Sequence, residues 1–146
     1  MKTALLDVNI LTALLWPAHE HHGRAHRWFG RRGDAGWATC SLTQLGFVRI
    51  VSNPAFSSDA LSPAAAVELL AMNLSHGAHE FWTESLPVPA ALRGMETGLQ
   101  GCKQLTDAYL LALASRRNGL LATFDRGVRD IAGVAFESSL EVVPAR

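Results

Sequence analysis

The chain has little of what would bind it to a membrane, a secreted scaffold or a bulk polyanion. It has two cysteines in 146 residues, Cys40 and Cys102, with no CxxC spacing. Two separated thiols exclude a disulfide framework and a recognised zinc-ribbon pattern, and they fit a reducing cytoplasm. No run of about 18 apolar residues is present, so no membrane span is expected. The apolar start "MKTALLDVNILTALLW" is broken by Asp7 and Asn9 and is not read as a signal peptide. Net charge is absent as well: 13 basic residues balance 13 acidic ones. Any contact with nucleic acid must therefore come from a local patch. Only two lysines occur, Lys2 and Lys103. Neither is placed for a phosphotransfer receiver or phosphatase site, which pairs acids near a first strand with a lysine near a late one.

What is present is an ordinary globular composition, 49% hydrophobic and 18% charged. Its length suits one domain over residues 1–146. "TALLD" (3–7) and "LLATFD" (120–125) read as buried parallel strands, each ending in an acid. "GWATC" (36–40) and "HEFWTE" (79–84) are further strands, and "VAFESSLEVV" (134–143) supplies one or two more. Helical spacing runs through 8–16, 19–33 and 62–74, the last with a Ser62-Pro63 start. A helix from Ser41 as N-cap reaches about Ser52, and "VPAALRGMETG" is a weak one. The strongest helix, "TDAYLLALASRRNG" (106–119), begins with Thr106 as N-cap and ends at Asn118-Gly119. Alternating strands and helices predict an α/β fold, a three-layer α/β/α sandwich around a mostly parallel sheet.

In such a sheet, ligands bind beyond the carboxyl ends of the strands. Asp7 closes the first strand, Asp125 closes "LLATF", and Asp107 lies in the first turn of the helix before it. Each has a plain structural reading. Asp7 can cap the next helix, Asp107 can favour a helix dipole, and Asp125-Arg126-Gly127 can form a turn. Convergence changes the balance, because two like charges ~4 Å apart repel by about 4 kcal/mol at an effective dielectric near 20. Three gathered carboxylates need protons, solvent or a cation, and a hard ion such as Mg²⁺ or Mn²⁺ suits oxygen ligands. Acids plus such an ion point to phosphodiester hydrolysis.

The segments "LLDVNIL", "WATCSLTQLGFVRIVSNP", "QLTDAYLLALA" and "LATFDRG" resemble the PIN-domain ribonucleases, specifically the VapC toxins of bacterial toxin–antitoxin pairs. The resemblance runs from about Leu5 to Phe136, and its specificity lies in the order of all four segments. It implies a PIN-like fold and Mg²⁺- or Mn²⁺-dependent endonucleolytic cleavage of RNA, with transfer or ribosomal RNA as substrate. It also implies a homodimer and a cognate antitoxin whose tail covers the groove. Carried over by position, Asp7, Asp107 and Asp125 are the catalytic, metal-binding acids, and Asn9 and Thr123 line the same pocket. Arg126 is the expected contact for a substrate phosphate.

Gln44 departs from the family, many of whose members have a glutamate there. It could complete a capping box with Ser41, or it could orient water or phosphate through its amide. An amide is a weaker ligand for a hard cation and no base, so an antitoxin-binding module without catalysis is the alternative reading. The histidines of "HEHHGRAHRW" complete no zinc pattern and read as a solvated helix face. Arg24, Arg27, Arg31 and Arg32 read as an exposed face, or alternatively a phosphate-contacting patch. Trp16, Trp28, Phe47 and Trp82 read as core or interface.

Overall fold

A computed structural model describes residues 1–144 of the chain. Its five strands are β1 (Ala4–Leu6), β2 (Trp37–Thr39), β3 (His79–Phe81), β4 (Leu120–Thr123) and β5 (Leu140–Val142). They form one sheet in the order β3-β2-β1-β4-β5, and every neighbouring pair is parallel. The register sets Leu6 beside Ala122, so Asp7 and Thr123 follow side by side at the carboxyl edge. Parallel pairing requires a crossover between strands, and the helices supply it on both faces.

The helices are α1 (Val8–Leu15), α2 (His22–Arg31), α3 (Ser41–Val51), α4 (Pro63–Leu74), α5 (Val88–Ala91), α6 (Leu105–Arg116) and α7 (Val128–Ala132). Strand residues alternate between the two faces. Leu5, Ala38 and Leu121 pack with α6 and Trp82, whereas Leu6, Trp37 and Ala122 pack with Ile10, Trp28, Phe47 and Leu70 of α1 to α4. The result is the three-layer sandwich expected, with a sheet that is wholly rather than mostly parallel. Helix α6 is buried at every position from Ala108 to Ala114, which explains its unbroken apolar sequence. The four tryptophans Trp16, Trp28, Trp37 and Trp82 and the Phe47 ring are all buried. Among the described residues no helix is long and apolar enough to cross a membrane.

Several boundaries differ from expectation. The N-cap of α3 is Cys40, one residue earlier than Ser41, and the capping partner is Thr43, whose Oγ1 accepts from the Cys40 amide at 3.0 Å. A carboxylate from outside the helix explains the shift, because Glu84 accepts from the Ser41 and Leu42 amides at 2.8 and 3.2 Å. Helix α6 starts at Leu105 with no side-chain cap, so Thr106 is inside it. The "weak helix" at 88 shrinks to one turn, with a 3-10 turn at Glu96–Gly98. Segment 134–143 forms a 3-10 turn and one strand, and the short helix α7 follows the turn at Asp125. Ser62 caps α4 as its sequence predicts, accepting from the Ala65 amide at 3.1 Å.

Candidate active site at the carboxyl edge

The expected acids come from three elements. Asp7 follows β1 and is buried. Its Oδ1 accepts from the Val8 amide at 2.7 Å, so it does cap α1. Its Oδ2 accepts from the Thr123 hydroxyl, also at 2.7 Å. Thr123 is fully buried and is the hub of the edge. Besides donating to Asp7, it accepts from Asn9 Nδ2 at 3.1 Å and from the Asp125 amide at 3.1 Å. Asn9 closes the ring by accepting from the Phe124 amide through Oδ1 at 3.2 Å. Asp125 is exposed and accepts from the Gly127 amide at 2.8 Å, the turn its sequence suggests. The plain structural roles and the shared location therefore coexist.

Electrostatics binds the three acids into one unit. Burial first, then the charges of Asp7 and Asp125, raises the Asp107 carboxyl to about 7. Burial raises Asp7 as well, opposed by its Thr123 and Val8 hydrogen bonds and reinforced by Asp125. Among the described residues no basic side chain pairs with these acids: the two ion pairs there join His21 with Glu20 and Arg32 with Glu141. A cation from outside the chain would favour the ionised form of the buried Asp7 and half-buried Asp107 beside the exposed Asp125.

Oxygen donors, anionic charge and partial exposure fit a hard divalent ion. Among the described residues, no three His, Cys, Asp or Glu groups stand together as the ligand set of one ion. That is compatible with Mg²⁺, which keeps several waters and takes one or two carboxylates directly.

Gln44 is near the edge but bonds elsewhere. Its Nε2 donates to Thr39 Oγ1 at 3.0 Å, and that hydroxyl also meets His79 Nε2 at 2.7 Å. The capping box that pairs it with Ser41 does not form; Cys40 and Thr43 make it instead. Arg126 is exposed beside Asp125, as a substrate contact would require.

Other groups depart from their sequence reading. His22 and His26 bond the carbonyls of Ala13 and Leu14 at 2.8 and 3.0 Å, closing the end of α1 rather than facing water alone. Arg27 and Arg31 are exposed as expected, but Arg32 is buried against Glu141 and the Lys2 and Gly36 carbonyls. Sequence reasoning missed Glu84, because nothing near "WTES" signals a cap for a helix 43 residues earlier.

The fold and edge geometry belong to a known class. Residues 4–134 match the PIN domain family model, and the chain belongs to the PIN-domain family, in its VapC branch. Ribonuclease VapC39 of Mycobacterium tuberculosis is 42% identical over 130 residues, covering 89% of this chain and 94% of the relative. Ribonuclease VapC44 of the same species is 43% identical over 125 residues, covering 86% and 87%. Ribonuclease VapC38 is 42% identical over 134 residues, covering 88% and 89%.

Proposed function

We propose that the chain is an endoribonuclease acting as the toxin of a toxin–antitoxin pair, hydrolysing RNA phosphodiesters with Mg²⁺ or Mn²⁺. The observation that carries this reading is the nearness of Asp7 and Asp125 to Asp107, whose carboxyl burial and those two charges raise to about 7, with no basic side chain paired to these acids among the described residues. One or two of Asp7, Asp107 and Asp125 would hold the ion directly and the rest through its waters, and the ion would supply neutralisation of the phosphate and activation of water for in-line attack. The chain's own part is orientation. Asp7 is fixed through both oxygens by the Val8 amide and the Thr123 hydroxyl. Asn9 holds that hydroxyl and the Phe124 amide together, so the Asp125 turn cannot drift from Asp7. Asp107, with its carboxyl raised to about 7, exchanges a proton with water near neutral pH until positive charge in the pocket ionises it. Arg126 offers a guanidinium to a phosphate oxygen.

A homodimer in one domain, a transfer or ribosomal RNA substrate, and an antitoxin segment seated over the acids complete the proposal. RNA cleavage by the purified chain, lost with EDTA and in Asp7→Asn, is the expected result. Cleavage that survives both changes overturns the reading.

One observation favours the alternative of an antitoxin-binding module without catalysis. The Gln44 Nε2 donates to Thr39 Oγ1, which in turn meets His79, whereas a carboxylate at that position could join the acids. Growth arrest on expression of the chain, absent in Asp7→Asn, separates the two: a module arrests with neither. Mg²⁺ titration of Gln44→Glu against the parent then measures whether position 44 reaches the ion.

A further inference from the structure

Beside the acids, five side chains stand in file along the rim. Arg24 of α2 lies over the Phe124 ring, its guanidinium carbon 4.0 Å from the centroid. The His21 ring is 5.4 Å from Phe124, His19 is 5.6 Å from His21, and Phe56 stacks on His19 at 6.4 Å and 28°. None of these rings is fully buried, and Phe56 is 39% exposed. Phe124 and Phe56 each rest one side on the core, Phe56 edge-on against Trp16 at 6.1 Å, and leave the rest of the ring outside it. Half-exposed rings in series do offer flat faces to bases.

The charge at one end is held deliberately. Arg24 uses Nε and Nη2 to donate to the Pro144 and Val143 carbonyls, which fixes its plane and leaves its other N–H groups free to bind. Arg126 is close enough for its charge to lower the Arg24 pKa, after burial. Neither guanidinium has a carboxylate partner among the described residues. Two guanidiniums on one side of the acids, without a carboxylate of their own, offer an anion a place to bind. Phe124 is joined directly to Asp125 and pinned by Asn9, so this anion lies next to the acid pocket.

We propose that Arg24, Arg126, Phe124, His21, His19 and Phe56 form a binding track for single-stranded RNA leading to the acid pocket. The arginines clamp a backbone phosphate, and the rings stack the bases on one side of it. The proposal rests on the ribonuclease reading for its substrate, but it is tested without cleavage. The full chain is titrated in EDTA with a labelled single-stranded RNA dodecamer, by fluorescence anisotropy, across a range of salt.

Arg126→Ala should lower the slope of log affinity against log salt by about 0.7, the value for one lost single-strand phosphate contact. Arg24→Gln, which keeps a donor for the Val143 carbonyl, should do the same. Phe124→Leu and His21→Ala should each weaken binding by about 5- to 100-fold with the slope unchanged. Unaltered slopes in both arginine variants overturn the track. So does a pattern in which the arginine variants lose an oligoglutamate peptide alongside RNA while the ring variants lose neither, which marks a face for an acidic protein. A chain that binds RNA through these residues yet never cuts it keeps the track and loses the nuclease. One that cuts while all four variants bind normally keeps the nuclease and loses the track.

Discussion

The two edges of the sheet solve opposite problems with the same kinds of residue. At the amino edge, charge is paired and the chain is packed against itself. Arg32 is buried, 3.6 Å from Glu141, and its Nη2 donates to the Lys2 and Gly36 carbonyls. Lys2 donates to the Ser138 carbonyl at 2.8 Å, and Gly119 leaves so little room that a Cβ would come within 2.5 Å of Trp82 and 2.7 Å of the Thr3 carbonyl. At the carboxyl edge, burial and the charges of Asp7 and Asp125 raise the Asp107 carboxyl, burial and Asp125 raise Asp7, and among the described residues no arginine or lysine pairs with these acids. Arg24 and Arg126 lie on that side too, and among the described residues neither makes an ion pair. One edge is optimised for the folded state alone. The other is incomplete until something else binds, as expected where ligands meet an open α/β sheet.

The contrast can be broken from either end. The largest effect on activity is expected from Asp7→Asn, about a thousandfold or more in kcat/KM on RNA, with the thermal midpoint little changed. Thr123→Val comes next. It strips partners from Asp7, Asn9 and the Asp125 amide at once, so cleavage should fall about 10- to 100-fold, as for the loss of a group that orients a ligand. At the other edge, Arg32→Ala should cost about 1–3 kcal/mol of stability, measured by chemical denaturation, by leaving the Lys2 and Gly36 carbonyls without their donor; Glu141 keeps its bond from Trp28 Nε1. Cleavage per folded molecule should be unchanged there; a large drop would show that the edges are not independent.

The smallest effect is a pH dependence. Asp107 and Asp7 have raised carboxyls in the folded chain, so between about pH 4 and about pH 7 the folded state holds protons the unfolded state has released. The metal-free protein should therefore lose stability as pH rises through that window and level off above it. The change is small because Asp107 is only half-buried and water screens it. Added Mg²⁺ should restore the loss at pH 7.5 and do little at pH 4.5. A thermal midpoint that rises between pH 4.5 and 7 without metal would contradict the coupling.

Legibility differed between the edges for a local reason. Asp7, Asp107 and Asp125 were readable because each closes an apolar strand or opens an apolar helix, and position along a parallel strand implies position in the sheet. Arg32 was misread because α2 is short and polar, so nothing in "GRRGD" distinguishes an arginine facing water from one facing Glu141. The histidines were half-read for a similar reason. Their spacing announces a shared helix face, but only the placement of α1 tells that His22 and His26 meet its terminal carbonyls. The cap of α3 moved by one residue because Glu84, remote in sequence, supplied what Ser41 was expected to provide.

By itself the sequence determined the alternation of strand and helix, the depth of α6 and the three acids at strand and helix ends, since periodicity and terminal residues act through near neighbours. Tertiary structure alone decided the hub at Thr123, the bond from Thr39 to His79 that backs Gln44, and the row of rings beside Arg24. Those depend on side chains as many as 116 residues apart, such as Asp7 and Thr123, brought within hydrogen-bond reach by parallel pairing. No local propensity encodes such a distance.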